Sequence, residues 1–246
     1  MTSLMTPAPG GAAAQEVPSA ASTGLPAGAE TDAGQPARRA AGRRAAEKVL
    51  EAAEQEFASY GFHGTRVAAI ARRAGLPKAN LLYYFSTKQA LYEQVLLDIL
   101  ETWLGQADDI RAENSAREGL AAYIRGKMRV SLERPHASKV WANEILAGGE
   151  AVAGMVRATL IPWMEAKQQV IDGWIARGEL RPIDPRTLFY TIWAATQHWA
   201  DFAAQICLVE GKEKLEEADI ARASDSIVNL VLDGIATPPA GAIKAG

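Results

Sequence analysis

The sequence predicts an all-α protein, and three observations carry that prediction. Alanine, leucine and interspersed charge dominate, while runs of β-branched residues alternating at period two are missing. Apolar residues recur instead at three- and four-residue spacing along most of the chain. Glycine and proline fall between these segments, at Gly61, Gly75-Leu76-Pro77, Gly148-Gly149 and Pro182, where helices are expected to end. At 246 residues and 48% hydrophobic content, the chain can bury one large core or two small ones.

Residues 1–37 hold Ala, Gly, Pro, Ser and Thr with almost no large apolar side chains. Such a segment cannot bury enough surface to offset chain entropy, so a disordered tail is expected. It lacks the basic start and continuous apolar stretch of a secretory signal. Arg38, Arg39, Arg43 and Arg44 then form a basic bridge, placed to touch phosphate or a minor groove. A first helix is expected over Arg43–Tyr60, with Val49, Leu50, Ala53 and Phe57 on one face and Gly61 as a left-handed C-terminal cap. After a turn, Thr65 is placed to N-cap a second helix that carries Val67, Ile70, Ala71 and Ala74.

Gly75 turns the chain into a third, short helix. Leu81 and Phe85 share its inner face, while Lys78, Asn80, Leu82, Tyr83 and Tyr84 point elsewhere. Pro77 pre-sets the first turn but offers no capping oxygen. Ser86-Thr87-Lys88-Gln89 reads as a capping box, opening a long helix through Leu91, Val95, Leu96, Ile99, Leu100 and Trp103. A bracing helix, a glycine turn and a short polar, aromatic helix make the layout of a helix-turn-helix, and duplex DNA is the expected partner.

Charge agrees with that expectation. Residues 38–90 hold ten basic and four acidic side chains, a net +6 in a chain of net −3, so a basic module sits on an acidic body. A solvated charged face accounts for part of the same pattern. Cys207, the sole cysteine, permits no intrachain disulfide, which fits a cytoplasmic chain, and its apolar surroundings suit an inert core thiol. No stretch is long and apolar enough to span a membrane, so no membrane partner is expected. His63, His136 and His198 lie far apart, no metal pair or phosphate loop is present, and neither an enzyme nor a cofactor or metal is expected.

The remaining chain reads as further helices over 116–133, 138–147, 151–177, 185–208 and 218–235, with a kink at Pro162. The segment around residues 191–205 carries many polar groups for a packing helix. Trp193, Gln197 and Asp201 fall within about an 80° stripe of it. A flat ring beside an amide and a carboxylate suits a small planar molecule rich in donors and acceptors. Core packing explains Trp193 and Phe202 equally well. His198 fits a satisfied interface position as well as a sensor, Asp201 a cross-dimer pair, and Lys127 and Glu144 either a cavity or solvent.

Phe57, Gly61-Phe62, Thr65, Ile70-Ala71, Gly75, Leu81, Tyr83, Phe85, Lys88 and Leu91 together resemble the N-terminal domain of TetR-family transcriptional regulators. The resemblance implies a tail (1–37), a helix-turn-helix DNA-binding domain (38–90), and a helical ligand-binding and dimerisation domain (91–246). It further implies a homodimer that presents two recognition helices to a near-palindromic double-stranded operator. Carried onto matching positions, it makes Lys78 and Asn80 candidates for base edges, and Thr65, Tyr83, Tyr84 and Lys88 candidates for phosphate contacts. Leu82 stands where the family commonly has tyrosine, and a thymine methyl is one contact open to it.

Gly61–Arg66, Asn80–Phe85, Pro182–Pro185, Ile192–His198 and Asp201–Gln205 resemble the pyrimidine-utilisation regulators of that family. This implies a repressor relieved by uracil or thymine, whose imide ring suits Gln197 and Asp201 with Trp193 as stacking surface; Lys127, on a neighbouring helix, is included as a further candidate contact. A different small ligand, or activation in place of repression, stays open at this point. So does a module that binds protein instead of DNA, against which the basic charge and Tyr83 and Tyr84 argue. The expected coupling is a population shift in which ligand swings the segment 90–103 and moves the reading helices out of groove spacing.

Overall fold

A computed structural model describes residues 34–235 of the chain, with side chains from residue 40 onward. Among the described residues the structure is helical throughout. The head comprises α1 (Gly34–Gly64), α2 (Val67–Arg73) and α3 (Lys78–Tyr84), and α4 (Lys88–Gly105) leads out of it. The trunk follows as α5 (Ala116–Glu133), α6 (Pro135–Leu146), α7 (Ala153–Met155), a π-helical turn (Val156–Leu160), α8 (Ile161–Ala176), α9 (Pro185–Asp201), α10 (Ala203–Glu210) and α11 (Glu217–Ile235).

Several boundaries differ from expectation for identifiable reasons. The tail expected over 1–37 falls on residues outside the described range except at its end, where 34–37 belong to α1. Gly61 has φ 65° and ψ 178°, so it supplies a positive-φ kink open to glycine and not the left-handed cap expected there. Arg66, not Thr65, is the N-cap of α2. Thr87, not Ser86, caps α4, its hydroxyl accepting from the Ala90 amide at 3.0 Å. The turn between α2 and α3 closes as a Schellman motif: Leu76 N–H donates to Ala71 O at 3.0 Å and Gly75 N–H to Arg72 O at 3.2 Å. That geometry needs φ 68° at Gly75.

In the trunk, Pro135 opens α6 three residues earlier than expected, at a position where its missing N–H costs nothing. The kink expected at Pro162 appears as the π-helical turn just before it, which relieves the clash of the ring with the preceding carbonyls. The long helix expected over 185–208 is two, broken at Phe202 (φ −112°, ψ 23°).

Two hydrophobic cores result. Val49, Phe57, Ile70, Leu81, Leu91 and Leu96 centre the head core, which runs up α4 and takes in Val140 and Trp141 of α6. Leu120, Tyr123, Ile124, Trp174, Phe189, Ile192 and Leu232 centre the trunk core, made by α5, α8, α9 and α11. Helix α4 and helix α6 therefore belong by packing to the head side of the seam between the cores. Arg134, the C-cap of trunk helix α5 and N-cap of α6, ties that seam: its guanidinium pairs with Glu54 of α1, with Asp98 of α4 at 2.8 Å, and with the Thr102 hydroxyl at 2.8 Å.

Candidate DNA-reading face and effector cavity

Helix α3 carries the reading face. Leu81, 1% exposed, anchors it to the head core. Lys78, Asn80, Leu82 and Tyr83 are turned to solvent, with Tyr83 85% exposed. Pro77 caps the helix by backbone geometry alone, without a side-chain hydrogen bond. The first amides of α3 are therefore left open, as at any helix start. Tyr84 is half-buried, meeting Tyr83 edge-on at 5.4 Å and laying its hydroxyl beside Gly42 of α1. Leu82, 39% exposed, presents a methyl surface beside these polar groups.

Two of the six residues expected at DNA have other work. Thr65 is 3% exposed, and its hydroxyl lies 2.8 Å from Gly61 O and 3.0 Å from Glu56 O. With its donor held inside the head, it locks the turn ahead of α2. Lys88 donates to Phe62 O at 2.8 Å and Thr65 O at 3.1 Å, with its ammonium 4.4 Å from the centroid of the Phe62 ring. Two of its three protons thus close the loop between α1 and α2. Arg73 braces α2 on α1 through Glu56 at 2.7 Å.

At the seam between the two cores lies a small, partly open hollow of about 60 Å³. Leu100, Trp103 and Leu104 of α4 and Trp141 of α6 line it from the head side, and Tyr123, Lys127, Trp193 and Gln197 from the trunk. Lys127 is 5% exposed. Its ammonium sits 4.9 Å from the Trp103 ring centroid and has no carboxylate partner among the described residues. Burial pushes its pKa down to about 8. Trp193 is held by its indole N–H, which donates to the Tyr123 hydroxyl at 2.6 Å. Burial raises the Tyr123 phenol above its ordinary range, opposed by that same hydrogen bond.

The structure therefore brings together Lys127, Trp193 and Gln197, and it leaves out Asp201. At the last residue of α9, Asp201 lies beyond the rim and lines a neighbouring open depression with Lys139 and Asn143. The 80° drift of the stripe over two turns accounts for the miss. Tyr123, Trp103 and Trp141 were not foreseen in the wall. The available signal was Tyr123 and Lys127 four apart on α5, one face of a helix. Glu144, open between cavity and solvent in the sequence, is buried in a different duty. It accepts from Tyr92 of α4 at 3.0 Å and from the Ala151 amide at 2.8 Å.

A family model described as bacterial regulatory proteins, tetR family, matches residues 49–95. A second, described as YcdC-like protein, C-terminal region, matches residues 96–238. The chain is 39% identical over 187 residues to the HTH-type transcriptional regulator RutR of Escherichia coli strain K12, covering 76% of this chain and 88% of that protein. The chain belongs to the TetR family. Like its relatives it is a DNA-binding transcriptional regulator and not an enzyme. TetR regulators bind DNA operators and small-molecule effectors and are dimeric. Solved TetR structures share the fold. One from Marinobacter aquaeolei VT8 superposes with TM-score 0.64 at 23% identity, over 81% of this chain and all of that one. FadR of Bacillus subtilis, in complex with stearoyl-CoA, does so with TM-score 0.58 at 18% identity, over 76% and 98%. No helix among the described residues is long and apolar enough to cross a membrane.

Proposed function

We propose that the chain is a homodimeric repressor that leaves a near-palindromic operator when a small planar heterocycle, of which uracil and thymine are the first candidates, occupies the hollow at the seam. The observation that carries this reading is Lys127. A buried ammonium facing only a ring is costly, and a ligand carbonyl would supply the acceptor it lacks. Gln197 offers both a donor and an acceptor, and Trp193 is fixed as a flat surface by Tyr123. An imide ring, with N–H between two carbonyls, matches that set. The hollow, about 60 Å³ as it stands, would have to open less for such a ring than for an acyl chain of the kind bound by the B. subtilis neighbour.

At the DNA end, Lys78 and Asn80 are assigned to base edges and Tyr83 and Tyr84 to phosphates, with Thr65 and Lys88 as braces behind them. The dimer surface is assigned to α9 and α11, where exposed Leu230 lines an apolar groove with Ala195 and Val231. Because α4 and α6 contribute one wall of the hollow and α5 and α9 the other, a ligand that widens it moves the head core against the trunk core. Release requires the effector to bind the DNA-free arrangement more tightly than the operator-bound one.

Calorimetry with uracil and thymine, paired with retention of promoter DNA at low salt, tests the reading. Heat on titration and loss of the DNA complex are expected. No heat and no thermal shift with any pyrimidine would remove the effector assignment, and indifference to promoter duplex would remove the operator.

A further inference from the structure

The small hollow and the open depression beside it share a wall, since Trp141 and Gln197 line both. The depression encloses about 670 Å³ between the C-terminal turns of α6 and α9. Two facts bear on the partition. On α9, the Trp193 indole and the Thr196 hydroxyl have hydrogen-bond partners, while the Gln197 amide has none among the described residues. Packing alone holds that flexible side chain in place. One turn further along, Asp201 Oδ1 is shielded from solvent and also has no partner. A buried carboxylate oxygen without a donor is a cost that an arriving N–H would relieve.

Volume supplies the third argument. The hollow measures about 60 Å³. A protein cavity that takes up benzene is about 150 Å³. No six-membered ring fits without a wall moving, and the wall backed by open space is the one made by Gln197 and Trp141.

We propose that the depression between α6 and α9 is the port of the effector site, with Gln197 as its movable partition, Trp141 as the fixed side of that wall, and Asp201 as an acceptor that a ring N–H can reach once the partition has moved. The proposal rests on the effector reading given above and extends it to the path and the order of contacts. The entering molecule is a compact ring with an N–H beside a carbonyl. It displaces Gln197, gains Asp201 as an acceptor, and reaches Lys127 at the back wall.

Two variants test the port in opposite directions, and two probes keep it apart from the identity of the effector. Asn143→Trp places a bulky ring at the exposed rim of the depression, and Gln197→Ala removes the partition. With uracil as the first probe, followed by the fluorescence of the tryptophans around the hollow, Asn143→Trp is expected to slow association and dissociation alike, each by about tenfold, with little change in Kd. Gln197→Ala is expected to speed association several-fold while weakening affinity. The second probe is cyanate at pH 8, which adds to the neutral amine of Lys127 to form a urea without a leaving group. Its extent at that one lysine is read by mass spectrometry. Labelling should fall in Asn143→Trp and rise in Gln197→Ala.

If no pyrimidine binds but labelling follows the variants in this way, the port stands and the effector is another molecule. Uracil binding at wild-type rates in Asn143→Trp, with Lys127 labelling indifferent to both variants, would overturn the port and leave the effector reading intact. Indifference of both probes in both variants overturns the port as well.

Discussion

The head and the surroundings of the hollow treat buried polarity in different ways. In α1–α3 each buried polar side chain has a partner: Glu54 takes Arg134, Glu56 takes Arg73, and Thr65 lies against two backbone carbonyls. In the trunk, Thr196, Asp219 and Ser224 are likewise partnered, but around the hollow Lys127 has a ring in place of an acceptor and Asp201 Oδ1 has no partner among the described residues. A head completed by its own contacts holds α3 at a fixed angle, which reading a groove demands. A trunk with open donors and acceptors is stabilised by whatever completes them, which sensing demands. Stability and responsiveness are thus placed on opposite sides of one seam.

Removing the tie across that seam should have the largest effect. Arg134→Ala leaves the Glu54 carboxylate, only 10% exposed, without its cation. Breaking a buried pair costs ~3–5 kcal/mol, and the 30% exposure of the Arg134 side chain moves the expectation toward the lower end. Urea denaturation measures it, and a loss below about 1 kcal/mol would place the joint elsewhere.

On the trunk side the same operation should run backwards. Lys127→Met removes a buried charge that has no counter-ion, so the variant is expected to be more stable at pH 7, by up to about 3 kcal/mol. The pH dependence gives the sign independently. The Lys127 pKa is about 8 when folded against the ordinary value of 10.5. Between these values the unfolded chain binds a proton that the folded chain does not, so this group makes stability rise with pH through that window. The variant lacks that rise, and thermal melts across the window compare the two. It should also lose the uracil-dependent rise in Tm. A destabilised Lys127→Met would break the contrast between the two cores.

At the reading face the effects are smaller and concern specificity. Asn80→Ala should lower discrimination at one base position by about 1–2 kcal/mol per half-site while leaving melting temperature and salt slope nearly unchanged. Competition binding with operator variants measures it. Equal losses on every sequence would make Asn80 a phosphate contact.

The head was more legible in the sequence than the trunk, for a physical reason. Its cores and turns are local, so the spacing of Val49, Phe57, Ile70, Leu81 and Leu91 and the glycine at 75 already define the three helices. The first helix, expected over 43–60, runs from Gly34 to Gly64 through a kink at Gly61, and two caps were off by one residue: Thr65 and Ser86 look like caps, but backbone geometry gave the caps to Arg66 and Thr87, and Thr65 went to carbonyls up to nine residues back. The cavity depends on contacts between distant segments. Periodicity on α9 found Trp193 and Gln197, but it could not show that Asp201 falls past the rim, or that Tyr123 anchors Trp193 from 70 residues away. The pairing of Tyr92 with Glu144, 52 residues apart, left no local mark either.

Lys88 gives the finest test of the division between brace and reader. A residue whose ammonium only met phosphate would, when lost, lower the salt slope by about one unit and leave stability alone. Its two carbonyl partners and the Phe62 ring assign most of its contribution to the fold. Lys88→Met retains the aliphatic stem and removes the charge, so it isolates those contacts. It should cost about 1 kcal/mol in stability, since two backbone acceptors lose a charged donor but remain near solvent. The third proton still permits one phosphate contact, which would add a small change in slope to the loss of stability. A variant with wild-type stability and a full unit less slope would return Lys88 to the reading face and reduce the brace between α1 and α2 to Thr65 and Arg73.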